Sequence, residues 1–183
     1  MKETFQKAIA FIKKPTKEKD SNTALTYRFK IFFHLLTISI LTGFVFSPLF
    51  VIIEQLGWID MEDHAIDEMM KQFTKPVILF LTIVIAPVFE ELIFRAPITL
   101  FKSNKAFRIG FYSFTILFAL IHITNYTITT NVILLTPLLV APQLFVGAYF
   151  GYIRTKFHLG WSMLLHAAYN AFFILIAISF GTI

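Results

Sequence analysis

The sequence predicts an all-α fold, a polytopic transmembrane helix bundle of about five spans. Three observations predict it. Of 183 residues, 57% are hydrophobic and only 15% charged, against roughly a quarter charged in soluble domains. The apolar residues, 23 of them phenylalanine, gather in runs that a soluble core of this size could not hide. Basic residues recur on alternate connections between those runs.

Residues 1–30 read as a basic cytoplasmic segment, carrying Lys2, Lys7, Lys13, Lys14, Lys17, Lys19, Arg28 and Lys30. They lack the apolar core of a cleavable signal peptide. Phe5, Ile9 and Ile12 recur there at helical spacing beside Lys7, Lys13 and Lys14. That pattern fits a short helix on the anionic inner leaflet or, equally, a solvated tail. Residues 31–180 form the membrane domain, with spans expected at 31–55, 77–101, 109–125, 131–153 and 161–180. Each is long enough, or nearly so, for about 30 Å of hydrocarbon at about 1.5 Å per residue. The third is short, and Pro137 and Pro142 kink or break the fourth into two half-helices.

The connection after the first span carries Asp60, Glu62, Asp63, Asp67 and Glu68 against Lys71 and Lys75. Lys102, Lys105 and Arg108 follow the second span, and Arg154 and Lys156 the fourth. This alternation places the N-terminus in the cytoplasm and the C-terminus outside, unless the fourth segment is re-entrant. The basic residues sit at the ends of apolar runs, not on one polar face, so no nucleic-acid partner is implied. The absence of cysteine excludes disulfides and thiolate metal sites.

Ionisable groups in hydrocarbon cost roughly 2.5–3.5 kcal/mol each on insertion scales. The sequence nonetheless places Glu90, Glu91 and Arg95 in the second span, His122 in the third and His166 with Asn170 in the fifth. Glu91 and Arg95 are four apart and expected to pair on one helix face, while Glu90 points about 100° away. Glu90 is then free to act as a general base. Phe118 lies on the face of His122, and a neutral His166 beside Asn170 offers the donors of an oxyanion hole. The three spans are expected to hold these groups in one band, nearer the cytoplasmic face. Pro87 and Pro97 weaken the backbone ladder around the acidic pair, as a helix lining a polar cavity tolerates. The bland readings are a structural ion-pair knot for Glu90, Glu91 and Arg95, and interhelical bonding for His166 and Asn170. His34 reads as structural or interfacial, and His64 and His158 as solvated.

Glu90-Glu91…Arg95, Phe118…His122 and His166…Asn170, in that order on separate spans, resemble the signature of the CPBP family, the CAAX proteases and bacteriocin-processing enzymes also called the Abi family. Gly147…Gly151…Arg154…Gly160-Trp161 looks like the family's linking region. The resemblance covers about residues 76–180, and departs at Ala96-Pro97, where many members have a glycine after the arginine. It implies a metal-independent intramembrane endopeptidase. Glu90 with His122 would activate a water, His166 and Asn170 would stabilise the oxyanion, and Glu91, Arg95 and Phe118 would support the site. The implied partner is a peptide precursor, a CAAX-like C-terminus or a membrane protein, and the compact chain suggests a bacterial cell membrane. The competing readings are a zinc-dependent version of the same protease, a non-catalytic immunity or scaffold protein, and a small proton-relaying transporter.

Overall fold

A computed structural model describes residues 1–60 and 65–179; Glu62, Asp63 and His64, the Asp67 side chain and Phe180 lie outside the described residues. Regular structure among the described residues is helical. A short α1 (Lys2–Lys13) precedes α2 (Leu25–Gln55). Then come α3 (Ala65–Gln72), α4 (Lys75–Phe80), a π-helical turn (Leu81–Ile85) and α5 (Ala86–Phe94). They are followed by α6 (Asn104–Ile121), α7 (Thr130–Leu139), α8 (Ala141–Lys156) and α9 (Leu159–Ser179). Five stretches are long and apolar enough to cross a bilayer: Leu25–Gln55, Lys75–Leu100, Asn104–Asn125, Thr130–Lys156 and Leu159–Ser179. Large apolar side chains such as Phe44, Val51, Ile116 and Leu117 stay exposed along them, as lipid-facing surface should.

Two helices start earlier than apolarity alone suggests. Arg28 and Lys30 belong to the first turns of α2, and Lys105 and Arg108 to those of α6. Ser103 caps α6, its hydroxyl accepting the Ala106 N–H at 3.1 Å, which fixes the start by satisfying an orphan donor. The fourth span is kinked and not re-entrant. Only Val140 separates α7 from α8. The Val140 N–H still reaches the Thr136 carbonyl and the Leu144 N–H the Val140 carbonyl, both at 3.0 Å. A ladder that persists across the break bends the axis without reversing it.

The core is built around α8, in which every residue from Val146 to Ile153 is buried, as expected of a helix apolar on all sides. Glycines let its neighbours close in. A side chain on Gly151 would collide with Phe111, and one on Gly147 with Phe118 and Arg95.

The N-terminal helix is docked, and it has three faces. Thr4, Ala8 and Phe11 are buried against the bundle. Phe11 meets Phe111 and Tyr152 edge-on, each at 5.3 Å between centroids, and Thr4 Oγ1 is 2.8 Å from His34 Nδ1. Phe5, Ile9 and Ile12, the expected apolar stripe, lie at the edge of that contact, with Phe5 exposed. Lys2, Lys7, Lys13 and Lys14 take the remaining face. One side thus binds protein, one suits lipid and one water, so a solvated tail is the reading that fails. The following segment crosses the basic helix ends: the Asp20 N–H donates to the Lys156 carbonyl at 2.9 Å, and Lys156 Nζ to the Glu18 carbonyl at 3.0 Å.

Removing the Phe11 ring should therefore unseat α1. Phe11→Ala is expected to destabilise the protein by about 3 kcal/mol, whereas Phe5→Ala should leave thermal unfolding in detergent nearly unchanged. Equal melting temperatures for the two variants would contradict the docked helix.

Candidate active site

The fold brings all the expected site residues together. Glu90 Oε2 lies 3.8 Å from Nε2 of both His122 and His166, and no partner within hydrogen-bond range reaches this buried oxygen among the described residues. At 3.8 Å a direct hydrogen bond is ruled out, but one water can touch both groups. His122 sits at the C-terminal cap of the 18-residue α6, where the third span tightens into a 3-10 turn over His122–Asn125. Its Nδ1 is 2.7 Å from the Phe118 carbonyl. A carbonyl only accepts, so Nδ1 carries a hydrogen and Nε2 of the neutral ring presents a lone pair towards Glu90.

Glu91 is wholly buried, but its partners differ from those the sequence suggested. Its Oε1 faces His166 Nδ1 at 3.2 Å, and its Oε2 accepts the hydroxyl hydrogen of Ser162. Arg95 Nε stands 3.9 Å away, at the outer limit of an ion pair. Arg95 is instead held by the Phe118 ring, 4.1 Å from the guanidinium carbon, and by the Gly147 carbonyl, which accepts from Nη2 at 3.1 Å. The expected Glu91–Arg95 pair is thus one edge of a larger knot. Phe118 binds the cation on one side and meets His122 and His166 at 4.8 and 5.7 Å.

His166 is clamped between Glu91 and Phe150, whose ring stacks on it at 4.6 Å. With Nδ1 donating to Glu91, Nε2 can donate only from a doubly protonated ring. A neutral ring with its hydrogen on Nδ1 turns an Nε2 lone pair towards Glu90.

Asn170 has a second duty. Its Nδ2 donates to the Thr82 carbonyl at 2.9 Å. In the π turn the Ala86 N–H bonds to the Leu81 carbonyl, five residues back, so the next donor in that register would be residue 87. That residue is proline and has no N–H. The carboxamide of α9 supplies the missing donor, leaving its other N–H for the cavity that Asn170 lines.

That cavity, of about 450 Å³, contains Glu90, His122 and His166 among its walls. Ser162, Gln143 and Thr82 escaped the sequence reading. Ser162 had a signal: it precedes His166 by four residues as His166 precedes Asn170, one continuous stripe on α9. Gln143 and Thr82 had none, since their positions depend on the kink at Val140 and on the π turn. Among the described residues no group of three histidine or acidic side chains stands in metal-ligating geometry.

An all-helical integral membrane protein with an acid–imidazole cluster buried among its spans is thereby defined. The family model for type II CAAX prenyl endopeptidases, Rce1-like, matches residues 72–172, more than half of the 183-residue chain, and the chain belongs to this family of membrane proteases. No curated protein matches the chain, and no solved structure matches it.

Ser162→Ala leaves a buried carboxylate oxygen short of a donor, an effect expected to cost about 1–3 kcal/mol. A lowered melting temperature with intact helical content would show it; an unchanged one would show that Ser162 is incidental to Glu91.

Proposed function

We propose that the protein is an intramembrane endopeptidase in which Glu90 activates a water, and that its substrate is a peptide precursor or membrane protein. The observation that carries this reading is the unpaired Glu90 Oε2 set 3.8 Å from two imidazole nitrogens. A water there donates one hydrogen to Glu90 and the other to His122 Nε2, which turns an oxygen lone pair towards the cavity. That oxygen bonds to the scissile carbonyl carbon as Glu90 takes the proton. The carbonyl π electrons move to oxygen, where His166 Nε2–H and the second Asn170 N–H stabilise the anion. Glu90 then returns its proton to the amide nitrogen, the C–N bond breaks, and a carboxylic acid and an amine leave. Glu91 positions His166, and Arg95 with Phe118 holds Glu91.

The four groups are supplied by three spans, and no metal takes part in these steps. The alternating basic connections favour a cytoplasmic N-terminus. The geometry gives the scaffold-only reading no comparable support, because a binding protein has no need of an unpaired carboxylate between two imidazoles.

Glu90→Gln should lower cleavage of fluorogenic peptides by the purified protein in lipid nanodiscs by about 10²–10⁴-fold while leaving its melting temperature unchanged. Full activity in that variant would refute the reading. EDTA and phenanthroline should leave the wild-type rate intact; inhibition reversed by zinc would establish the metal-dependent alternative.

A further inference from the structure

The cavity is closed on the side of the basic helix ends and runs towards the opposite face. Beyond Glu90 and His166 its walls are Thr82, Gln143, Phe173, Ala177 and Met69 of α3. Each lies on the α3 side of the cluster. The chain descends from Lys75 through Thr82 to Glu90, and α9 rises from Leu159 through His166 to Ala177, the last eleven residues of that rise covering about 16 Å. On the other side the cluster rests on buried Phe94, Ile98, Phe111, Phe150 and Trp161. Below these, α1 and the strap bonded to Lys156 cover the ends of the helices. Lys105, Arg108, Arg154 and Lys156 all belong to this closed side.

Gln143 gives the cavity a polar foothold. Its Oε1 is buried with no hydrogen-bond partner among the described residues, and the residue lies in the wall one turn before Gly147 on α8. A buried acceptor left unpaired is costly, and a donor from a bound chain would recover that cost. The nearby walls are largely apolar, with Val146, Phe173 and Ile174.

Resting on the hydrolytic reading above, we infer that the substrate is an extended peptide segment with apolar side chains that enters from the extracytoplasmic face, and that Gln143 accepts one of its backbone N–H groups. Basic residues mark the cytoplasmic side, so the open end faces away from it. The fitting substrates are exported peptides and the outer ends of membrane proteins. A C-terminus arriving from the cytoplasm meets the closed face.

The chain has no cysteine, so single cysteines report their positions cleanly. In full-length protein, Ala177→Cys and Lys105→Cys are each treated with a membrane-impermeant maleimide, in right-side-out and in inverted vesicles. Ala177→Cys should react only from outside and Lys105→Cys only from the cytoplasmic side. Modification at 177 should slow cleavage of a fluorogenic apolar peptide by about tenfold or more, and modification at 105 should not. Reaction of both positions from one side overturns the inferred route. So does unimpaired cleavage after modification at 177, provided Glu90→Gln still abolishes it; retained activity in Glu90→Gln strikes instead at the hydrolytic reading. Gln143→Leu should raise KM about fivefold or more with kcat nearly unchanged, and an unchanged KM overturns the docking role.

Discussion

The carboxylate of Glu91, fully withdrawn from solvent, is the constraint on which the rest of the site depends. An ionised group in a low-dielectric interior is tolerated only when it is surrounded by donors and opposite charge. Ser162 and His166 from α9 and Arg95 from the end of α5 supply them. Satisfying that one group brings α5 and α9 together and turns the His166 ring so that Nε2 faces Glu90. The neighbouring glutamates therefore perform opposite tasks: saturation of one orients the partners of the other, and the other keeps an oxygen open.

Arg95 shows how the core takes part in this arrangement. Its guanidinium is as buried as the carboxylate, and it lies between the face of Phe118 and the backbone of Gly147. Gly147 is required at that point, because a side chain there would enter the space of both the ring and the guanidinium. The buried length of α8 is thus the surface on which the charged knot is laid, and packing and electrostatics share the same atoms.

Much of this was legible in the sequence. The five spans follow from apolar run length, and the polar residues of Glu90, Glu91, Arg95, His122, His166 and Asn170 stand out because hydrocarbon penalises them. Partner choice was less legible. Spacing of four places Glu91 and Arg95 on one face but says nothing of a competing serine and histidine from another helix. The docking face of α1 was not legible for a related reason: Phe5, Ile9 and Ile12 form the apolar stripe, yet the protein contact uses Thr4, Ala8 and Phe11, a face whose threonine and alanine give periodicity little to detect. Counting along the spans set the polar groups in one band, and the cavity runs from that band towards Met69 of α3 and Ala177 of α9. Counting residues from the ends of spans gives depth; which side is open depends on where large aromatic side chains fill the bundle.

Asn170 binds the Thr82 carbonyl that Pro87 leaves without a donor. A break in one helix is thus mended by a side chain of another, and the mending group is also a wall of the cavity. Backbone shape in the second span and side-chain identity in the fifth are in consequence a single unit of inheritance. A change at position 87 that restores an N–H releases the carboxamide at 170 from its structural work, and a change at 170 exposes the defect that the proline creates. Divergence at these two positions should therefore be read jointly, as the drift of one joint and not of two separate residues.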